Sequence, residues 1–522
     1  MADKPVTTGV IAAGHEVTAG AAESILREGG NAYDAVFAAA AAACVCEPVL
    51  CSLGGGGFLM AHPAGGQPRL YDFFVQTPSL RRPADELEFG PIVADFGTAQ
   101  QEFHIGRGAI AVPGMVRGVF DVHRELGSMP LSEVFVPAIE AARGGVVINA
   151  LHAYIFSVVE AIYMAGAKTR TLYGSSREAG RLVGEGETLR QPEFADTLET
   201  LALEGADLFY RGEIAQSIVG DLRDGGQLTA QDLENYRLEI RRPLEIGYRD
   251  RRLLTNPPPS TGGLLIGFAL RLLEPLELNN VAFGSADHLR TLAEAMRLTN
   301  EARIDAHVDD KPLDPNDVQL LDPKLIEKYR QIIAGRAASR RGTTHISVID
   351  GNGNIAALSL SNGEGSGYVA PGTGIVLNNM LGEEDLNPGG FHRWPLSHRM
   401  TSMMAPSILE SADGTAVAIG SGGSNRIRTA ILQVLLNLID FDMDIEAAVD
   451  APRIHYENGL LSMEDGIDLE RAGSVLKQFP QHQVWEGCNL FFGGTHAAVS
   501  ARGDFHGAGD PRRGGVCIKV GA

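Results

Sequence analysis

Arg341-Gly342-Thr343-Thr344-His345-Ile346-Ser347-Val348-Ile349-Asp350 is the stretch that decides how this chain is read. From Thr344 to Ile349 apolar and polar residues alternate, the pattern of a half-buried strand. Leu325 to Arg341 reads as a helix end followed by a polar, basic segment, so a linker delivers Thr343 to the tip of a strand. A threonine hydroxyl is a weak nucleophile unless a base stands beside it. The nearest base is the residue's own α-amine, which exists only if the Gly342–Thr343 bond is cut. One cleavage would create nucleophile and base together. Gly342 has no side chain, which lets the backbone take the strained geometry that attack on its carbonyl requires.

At 522 residues the chain exceeds one typical core, yet a single large layered assembly accommodates it. A net charge of −21 argues against nucleic acid and against anionic membrane surfaces as partners. Met1 to Gly14 lacks the basic start and apolar stretch of a secretory signal, so a cytoplasmic location is expected. The longest apolar run, Ala35 to Cys46, is too short to span a bilayer and reads as a buried helix. Cys44, Cys46 and Cys51 are expected to pack in the core, in neither a disulfide nor a metal site.

Along the chain, Val17 to Glu28 carries one apolar helical face and stops at Gly29-Gly30. Leu53 to Gly57 is a glycine run before the strand-like Phe58-Leu59-Met60; it lacks the Lys-Ser/Thr of a phosphate loop, so close backbone packing beside the active site is expected. Leu70 to Val75 reads as a strand and Val116 to Leu126 as a helix. Ser132 to Ile240 is mainly helical. Asn256 to Gly263 is a rigid loop entering the helix Leu264 to Leu273, and Ala286 to His307 is a further amphipathic helix. After Thr343, strands are expected at Ile355–Leu360, Gly374–Leu377, Ala416–Ile419 and Ala497–Ser500, with helices at Thr429–Ile439 and Ile445–Val449. Periodicity alone gives a mixed α and β protein.

The sequence Gly342-Thr343-Thr344-His345-Ile346-Ser347-Val348-Ile349-Asp350, with Gly353-Asn354 and Leu377-Asn378-Asn379, resembles the γ-glutamyltranspeptidases. These are N-terminal-nucleophile hydrolases that mature by cleaving themselves before such a threonine. The resemblance runs through Glu28 to Ala32, Gly54 to Phe58, Val112-Pro113-Gly114 and Pro258 to Gly263. It continues through Met400 to Met403, Gly420 to Ser424, Ala451-Pro452-Arg453 and Gly509 to Arg512, and so covers nearly the whole chain. It implies an α+β fold, a four-layer α/β/β/α sandwich built jointly from a large subunit, 1–342, and a small subunit, 343–522, around one core.

What the resemblance implies for the site is specific. Thr343 is the nucleophile and Gly342–Thr343 the cleavage site. Ser361 stands where a second hydroxyl residue, normally threonine, orients the nucleophile. Gly422 and Gly423 match the glycine pair whose backbone N–H groups form the oxyanion hole, where losing one donor costs about 3 kcal/mol. Thr401 and Ser402 match the hydroxyl pair that holds the substrate α-carboxylate. Three recognition positions depart from the family: Phe74 replaces a carboxylate-binding arginine, Gly363 an asparagine and Gly382, in register, an amine-binding aspartate. Either neighbours compensate, with Arg393, Arg399, Arg426 or Arg428 reading a carboxylate and Glu364 or Glu383 an amine, or the acyl group differs and Phe73 and Phe74 line a more apolar pocket.

Three functions follow as expectations. The first is an autoprocessed γ-glutamyltransferase or glutathione hydrolase that passes a γ-glutamyl group through a threonyl ester to water or an amine. The second keeps the mechanism with a non-glutamyl acyl substrate, as in cephalosporin-acylase-like relatives. The third is an uncleaved binding protein, against which the combination of Thr343, Ser361, Gly422 and Gly423 argues. The chemistry needs no cofactor. His345, His392, His398 and His496 lack a closely spaced ligand pair, so no metal is expected; His345 reads as a strand residue near the active-site rim. The expected partners are a small-molecule amide and the chain's own two fragments, and whether two processed pairs assemble stays open. Asp510-Pro511-Arg512-Arg513 reads as a turn with ion pairs that fix the C-terminal strand.

Overall fold

The computed structural model of the chain describes residues 5–95, 100–306, 308, 313, 317–330, 343–387 and 389–521. Gly342, one half of the expected cleavage site, and most of the preceding linker lie outside the described residues; the described helix before it is Pro323–Arg330.

Thr344–Asp350 occupies the middle of a seven-stranded sheet. The strand order is Val516–Val520, Gly9–Ala13, Thr344–Asp350, Ile355–Ser361, Gly56–His62, Arg69–Phe73, Glu239–Arg241, and every neighbouring pair is antiparallel. A second, six-stranded antiparallel sheet runs Asp504–Ala508, Gly494–Ala501, Ala416–Gly422, Ser407–Ser411, Arg251–Thr255, Leu244–Tyr248. The two sheets pack face to face. Helices Glu16–Arg27 and Ala32–Cys46 cover the outer face of the first; Gly262–Leu273 and Arg426–Ile439 cover the second, with Ala286–Asp305 packed against Gly262–Leu273. This is the four-layer α/β/β/α sandwich of the N-terminal-nucleophile hydrolases. Both sheets draw strands from either side of Thr343, so the two segments build the sandwich jointly.

The two-residue period of the strand explains the burial on each side. Ile346 and Val348 join the cluster under the alanine-rich helix, whereas Ile349 belongs to the cluster between the sheets. His345 and Ser347 share the inter-sheet face. The His345 ring bonds the Ser359 and Ser347 hydroxyls, each at 2.9 Å, and Ser347 donates to the His496 carbonyl of the opposite sheet at 3.2 Å. His345 is therefore fully buried between the sheets and not at the active-site rim. Gly420 makes that possible, because a Cβ there would lie 2.2 Å from the imidazole.

At the far end of the strand the Asp350 carboxylate accepts from the backbone N–H groups of Asn352 and Asn354, closing the hairpin, and from Ala32 N–H at the start of the alanine-rich helix. That helix carries a full capping box between Asn31 and Asp34. Its small side chains let it lie flat on the sheet, buried along its whole length. Most expected elements are present with shifts of a few residues at the ends. Gly374–Leu377 is the exception: it makes only isolated bridges, Val376 to Val369 and Leu377 to Gly54, beside Gly372 and Gly374 at φ of +71° and +67°.

Candidate active site

Thr343 precedes the central strand and is buried, 4 % exposed. Its carbonyl accepts from Nη1 of Arg513 at 3.2 Å. The same carbonyl lies against Gly422, where a Cβ would come within 1.9 Å of it. Gly422 ends its strand, Gly423 turns with φ of +116°, and Ser424 and Asn425 lead into the helix Arg426–Ile439. No side chain could stand between this loop and Thr343. Built Cβ atoms on Gly422 and Gly423 would each lie 3.3 Å from the Arg513 guanidinium, so the expected oxyanion glycines and the expected nucleophile meet over one buried arginine.

The glycine run Gly54 to Gly57 packs as expected. A Cβ on Gly55 would lie 2.3 Å from the Ser361 carbonyl, and one on Gly57 2.4 Å from that of Ser359. Ser361 ends its strand and its hydroxyl accepts from Gly363 N–H at 3.1 Å. On the other face, Thr344 donates to Oε2 of Glu47 at 2.8 Å and Thr18 donates to Oε1 at 2.7 Å. Glu47, the C-cap residue of the alanine-rich helix, thus clamps the residue after Thr343, a role no sequence motif announced.

One cleft brings Thr343 and Ser361 together with Phe74, Glu383, Thr401 and Ser402; its wall also includes Arg303, Asp385, Met403, Met404 and Ile427. The loop 256–261 builds part of this wall through Thr261. Ser260 donates to the Ser402 carbonyl at 2.7 Å, Asn256 to that of Met404 at 2.8 Å, and Thr401 to that of Pro259 at 2.8 Å. The Ser402 hydroxyl accepts from Met404 N–H at 3.1 Å, which aims its own proton elsewhere.

The departures from the family pattern fall into place around Glu383. Gly382 does not face the cleft; a Cβ there would lie 2.0 Å from the His104 carbonyl. The next residue, Glu383, faces it instead. A Cβ on Gly363 would lie 2.1 Å from Oε1 of Glu383, and Gly363 has φ of +64°. The space of the missing asparagine side chain is therefore filled by Glu383 together with Asn379, whose Oδ1 would lie 2.2 Å from the same Cβ. Glu364 is not among the cleft-lining residues; it is buried, its N–H donates to Asn379 at 2.9 Å, and its charge acts on Arg513.

Phe74 is buried and stacks on Phe58 at 5.3 Å. None of the four arginines expected to replace the missing one lines the cleft. Arg399 lies behind Phe74, bonding its carbonyl, the Tyr236 hydroxyl and the Arg237 carbonyl. Arg426 bonds the Phe491 carbonyl and lies over its ring. Arg428 pairs with Glu457, and Arg393 is exposed. The cation on the wall is Arg303, from the last turn of the helix Ala286–Asp305; nothing in its sequence neighbourhood signals this, since only docking of the helix brings it there.

Beneath the site, Asp510 ties the C-terminal turn together. Its carboxylate pairs with Arg453 at 2.7 Å and Arg512 at 3.2 Å and accepts from Thr495 N–H at 2.8 Å. Burial would raise this carboxyl, but the two guanidinium groups and the Thr495 bond hold it below the usual range. Its own N–H donates to His496 Nδ1 at 3.1 Å, so that ring is neutral; burial pushes its pKa down to about 4. Burial also lowers the Arg513 pKa, opposed by the charges of Glu364, Asp510 and Glu47.

The profile described as gamma-glutamyltranspeptidase matches residues 18–520. The chain belongs to the γ-glutamyltranspeptidase family. Among its relatives, the acylase ACY 1 proenzyme of Pseudomonas sp. (strain V22) is 30 % identical over 534 residues, covering 99 % of this chain and 95 % of that one. The glutathione hydrolase proenzyme of Escherichia coli (strain K12) is 30 % identical over 526 residues, covering 94 % and 87 %. The crystal structure of the cephalosporin acylase from Bacillus halodurans superposes with a TM-score of 0.84 at 25 % identity, covering 98 % and 96 %. As a γ-glutamyltranspeptidase-family member the chain is an enzyme; the family's curated relatives here carry both the glutathione hydrolase and the acylase names.

Proposed function

We propose that the chain is a proenzyme that cuts itself before Thr343 and then cleaves γ-glutamyl amides, glutathione among them. In the precursor, the Thr343 hydroxyl attacks the Gly342 carbonyl. The acyl group moves from nitrogen to oxygen, and water hydrolyses the ester, leaving segments 1–342 and 343–522 interleaved in one sandwich. In the mature enzyme the freed α-amine takes the hydroxyl proton as Oγ attacks the substrate amide, and gives it to the departing amine. The Gly422 and Gly423 N–H groups stabilise the oxyanion. Water or an acceptor amine then takes the acyl group from Thr343.

The observation that carries this reading is the composition of the cleft: the Thr343 nucleophile shares it with Glu383 and Asp385 on one hand and Ser402 on the other. Two carboxylates suit an ammonium and disfavour an acyl group that brings only negative charge, so a glutamyl head with its α-amine fits better than a glutaryl one. A second reading, an acylase for less polar acyl groups, is supported by Phe74 stacked on Phe58 and by Met403, Met404 and Ile427 on the wall.

A denaturing gel with N-terminal sequencing tests the maturation. Two fragments, the shorter starting Thr-Thr-His-Ile, are expected, and one intact band from Thr343→Ala. An uncleaved band from the unaltered protein would sink the mechanism. Initial rates on γ-glutamyl, glutaryl and butyryl 4-nitroanilides separate the two substrate readings.

A further inference from the structure

Phe74 removes the arginine that the family places at the end of its strand, and Arg399 is held behind the pocket. Among the described cleft-lining residues the charged ones are Arg303, Glu383 and Asp385. A substrate carboxylate entering against two acidic side chains needs a cation on the same wall. The hydroxyl pair does not supply enough. Thr401 directs its proton to the Pro259 carbonyl and so meets a ligand as an acceptor, leaving Ser402 as the hydroxyl whose proton is not directed to Pro259.

Arg303 answers both needs. It lines the cleft and is half-buried between the fully buried Ala302 and the exposed Ile304, and its charge also acts on the buried Glu457. It stands in the last turn of a 20-residue helix, where the dipole favours a cation. A guanidinium offers a planar pair of donors that matches a carboxylate, which a hydroxyl cannot. We propose that Arg303 is the specificity residue that binds the substrate's α-carboxylate, a task moved from the strand end at Phe74 to the end of a helix. The inference rests on the γ-glutamyl reading. It makes the cleft a reader of amino-acid head groups with its charges rearranged: Arg303 and Ser402 for the carboxylate, Glu383 for the amine.

The test uses the processed enzyme and four 4-nitroanilides: γ-glutamyl, with carboxylate and amine; glutaryl, with the carboxylate alone; 4-aminobutyryl, with the amine alone; and butyryl, with neither. Arg303→Met should raise KM about 10- to 100-fold for the two carboxylate-bearing anilides, the range for losing a hydrogen bond to a charged group. KM for the other two should stay within about twofold. Arg303→Lys should fall between, and both variants should still yield two fragments on a gel. Should Arg303→Met leave the folded state, the same contrast in Arg303→Lys decides. Equal losses on all four anilides, or an unchanged KM for γ-glutamyl anilide, would overturn the role of Arg303 while leaving the γ-glutamyl reading intact. An unaltered enzyme that prefers butyryl to γ-glutamyl anilide would overturn that reading, and Arg303's role with it.

Discussion

Arg513 donates from Nη1 to the carbonyl oxygen of Thr343 at 3.2 Å, across a sequence separation of 170 residues. The bond runs from the C-terminal turn to the proposed nucleophile, so the turn fixed by Asp510 sets where the Thr343 backbone sits. Arg513→Met should lower kcat about 10- to 100-fold, the cost of one lost bond from a charged donor. KM should change little, because Arg513 does not line the cleft. Arg513→Lys should recover part of the rate. Steady-state kinetics on a γ-glutamyl anilide, with thermal melts to monitor folding, check this; a rise in KM at constant kcat would contradict it.

Gly422 gives a sharper steric prediction. A Cβ at 1.9 Å from the Thr343 carbonyl cannot be absorbed by a side-chain rotation, because the obstacle is backbone. Gly422→Ala should therefore displace the nucleophile from the oxyanion donors, cutting turnover by more than about 100-fold, the range seen when one such donor is lost. Self-cleavage should slow in parallel. Densitometry of the precursor band over time provides the readout.

Local pattern made some of this architecture legible and left other parts hidden. Alternation from Thr344 to Ile349 places the central strand, and the run of alanines places the buried helix, because each signal is carried by neighbouring residues. Gly374–Leu377 misleads, since its apolar run has no partner strand in continuous register and its glycines turn the chain. Gly422, Gly423 and Ser361 are picked out by motifs, and they lie beside Thr343 or share its cleft. Glu383, one of the two carboxylates the sequence offers for an amine, enters the cleft one position past the family register, in space that Gly363 vacates, whereas Arg303 arrives only through helix docking. Such placements depend on how elements meet, which no window of sequence encodes.

Buried histidines predict an acid limit to stability. Burial, the leading cause in each case, lowers the pKa values of His288, His455 and His496 to about 4 and that of His152 to about 3, from 6.5. The unfolded chain therefore binds more protons than the folded one between pH 6.5 and 4, so stability rises with pH in that window. The contribution is complete above about pH 6.5 and is lost as pH falls through about 4, on the order of 3 kcal/mol per group. Urea midpoints should fall steadily from pH 6.5 to 4.5. His496→Gln should flatten the slope, and a midpoint constant over that range would refute the argument.

Glu383 and Gly363 are predicted to act as a pair. Glu383→Gln keeps the size and the hydrogen-bonding atoms but removes the charge, so the loss should be confined to substrates that bring an ammonium: about 10-fold or more in KM for γ-glutamyl anilide, in the range for a charged hydrogen bond, and little for glutaryl anilide. Removing one of the two carboxylates also relieves repulsion of a carboxylate-only substrate, so glutaryl turnover should hold or rise. Gly363→Ala should imitate this from the other side, because its Cβ would lie 2.1 Å from Oε1 of Glu383 and force that carboxylate out of place. In the double variant the two effects should be less than additive, since each single change disables the same group. Additive losses in the double-mutant cycle would mean that Gly363 matters through its φ of +64° or the room it gives Asn379 and not through the room it gives Glu383.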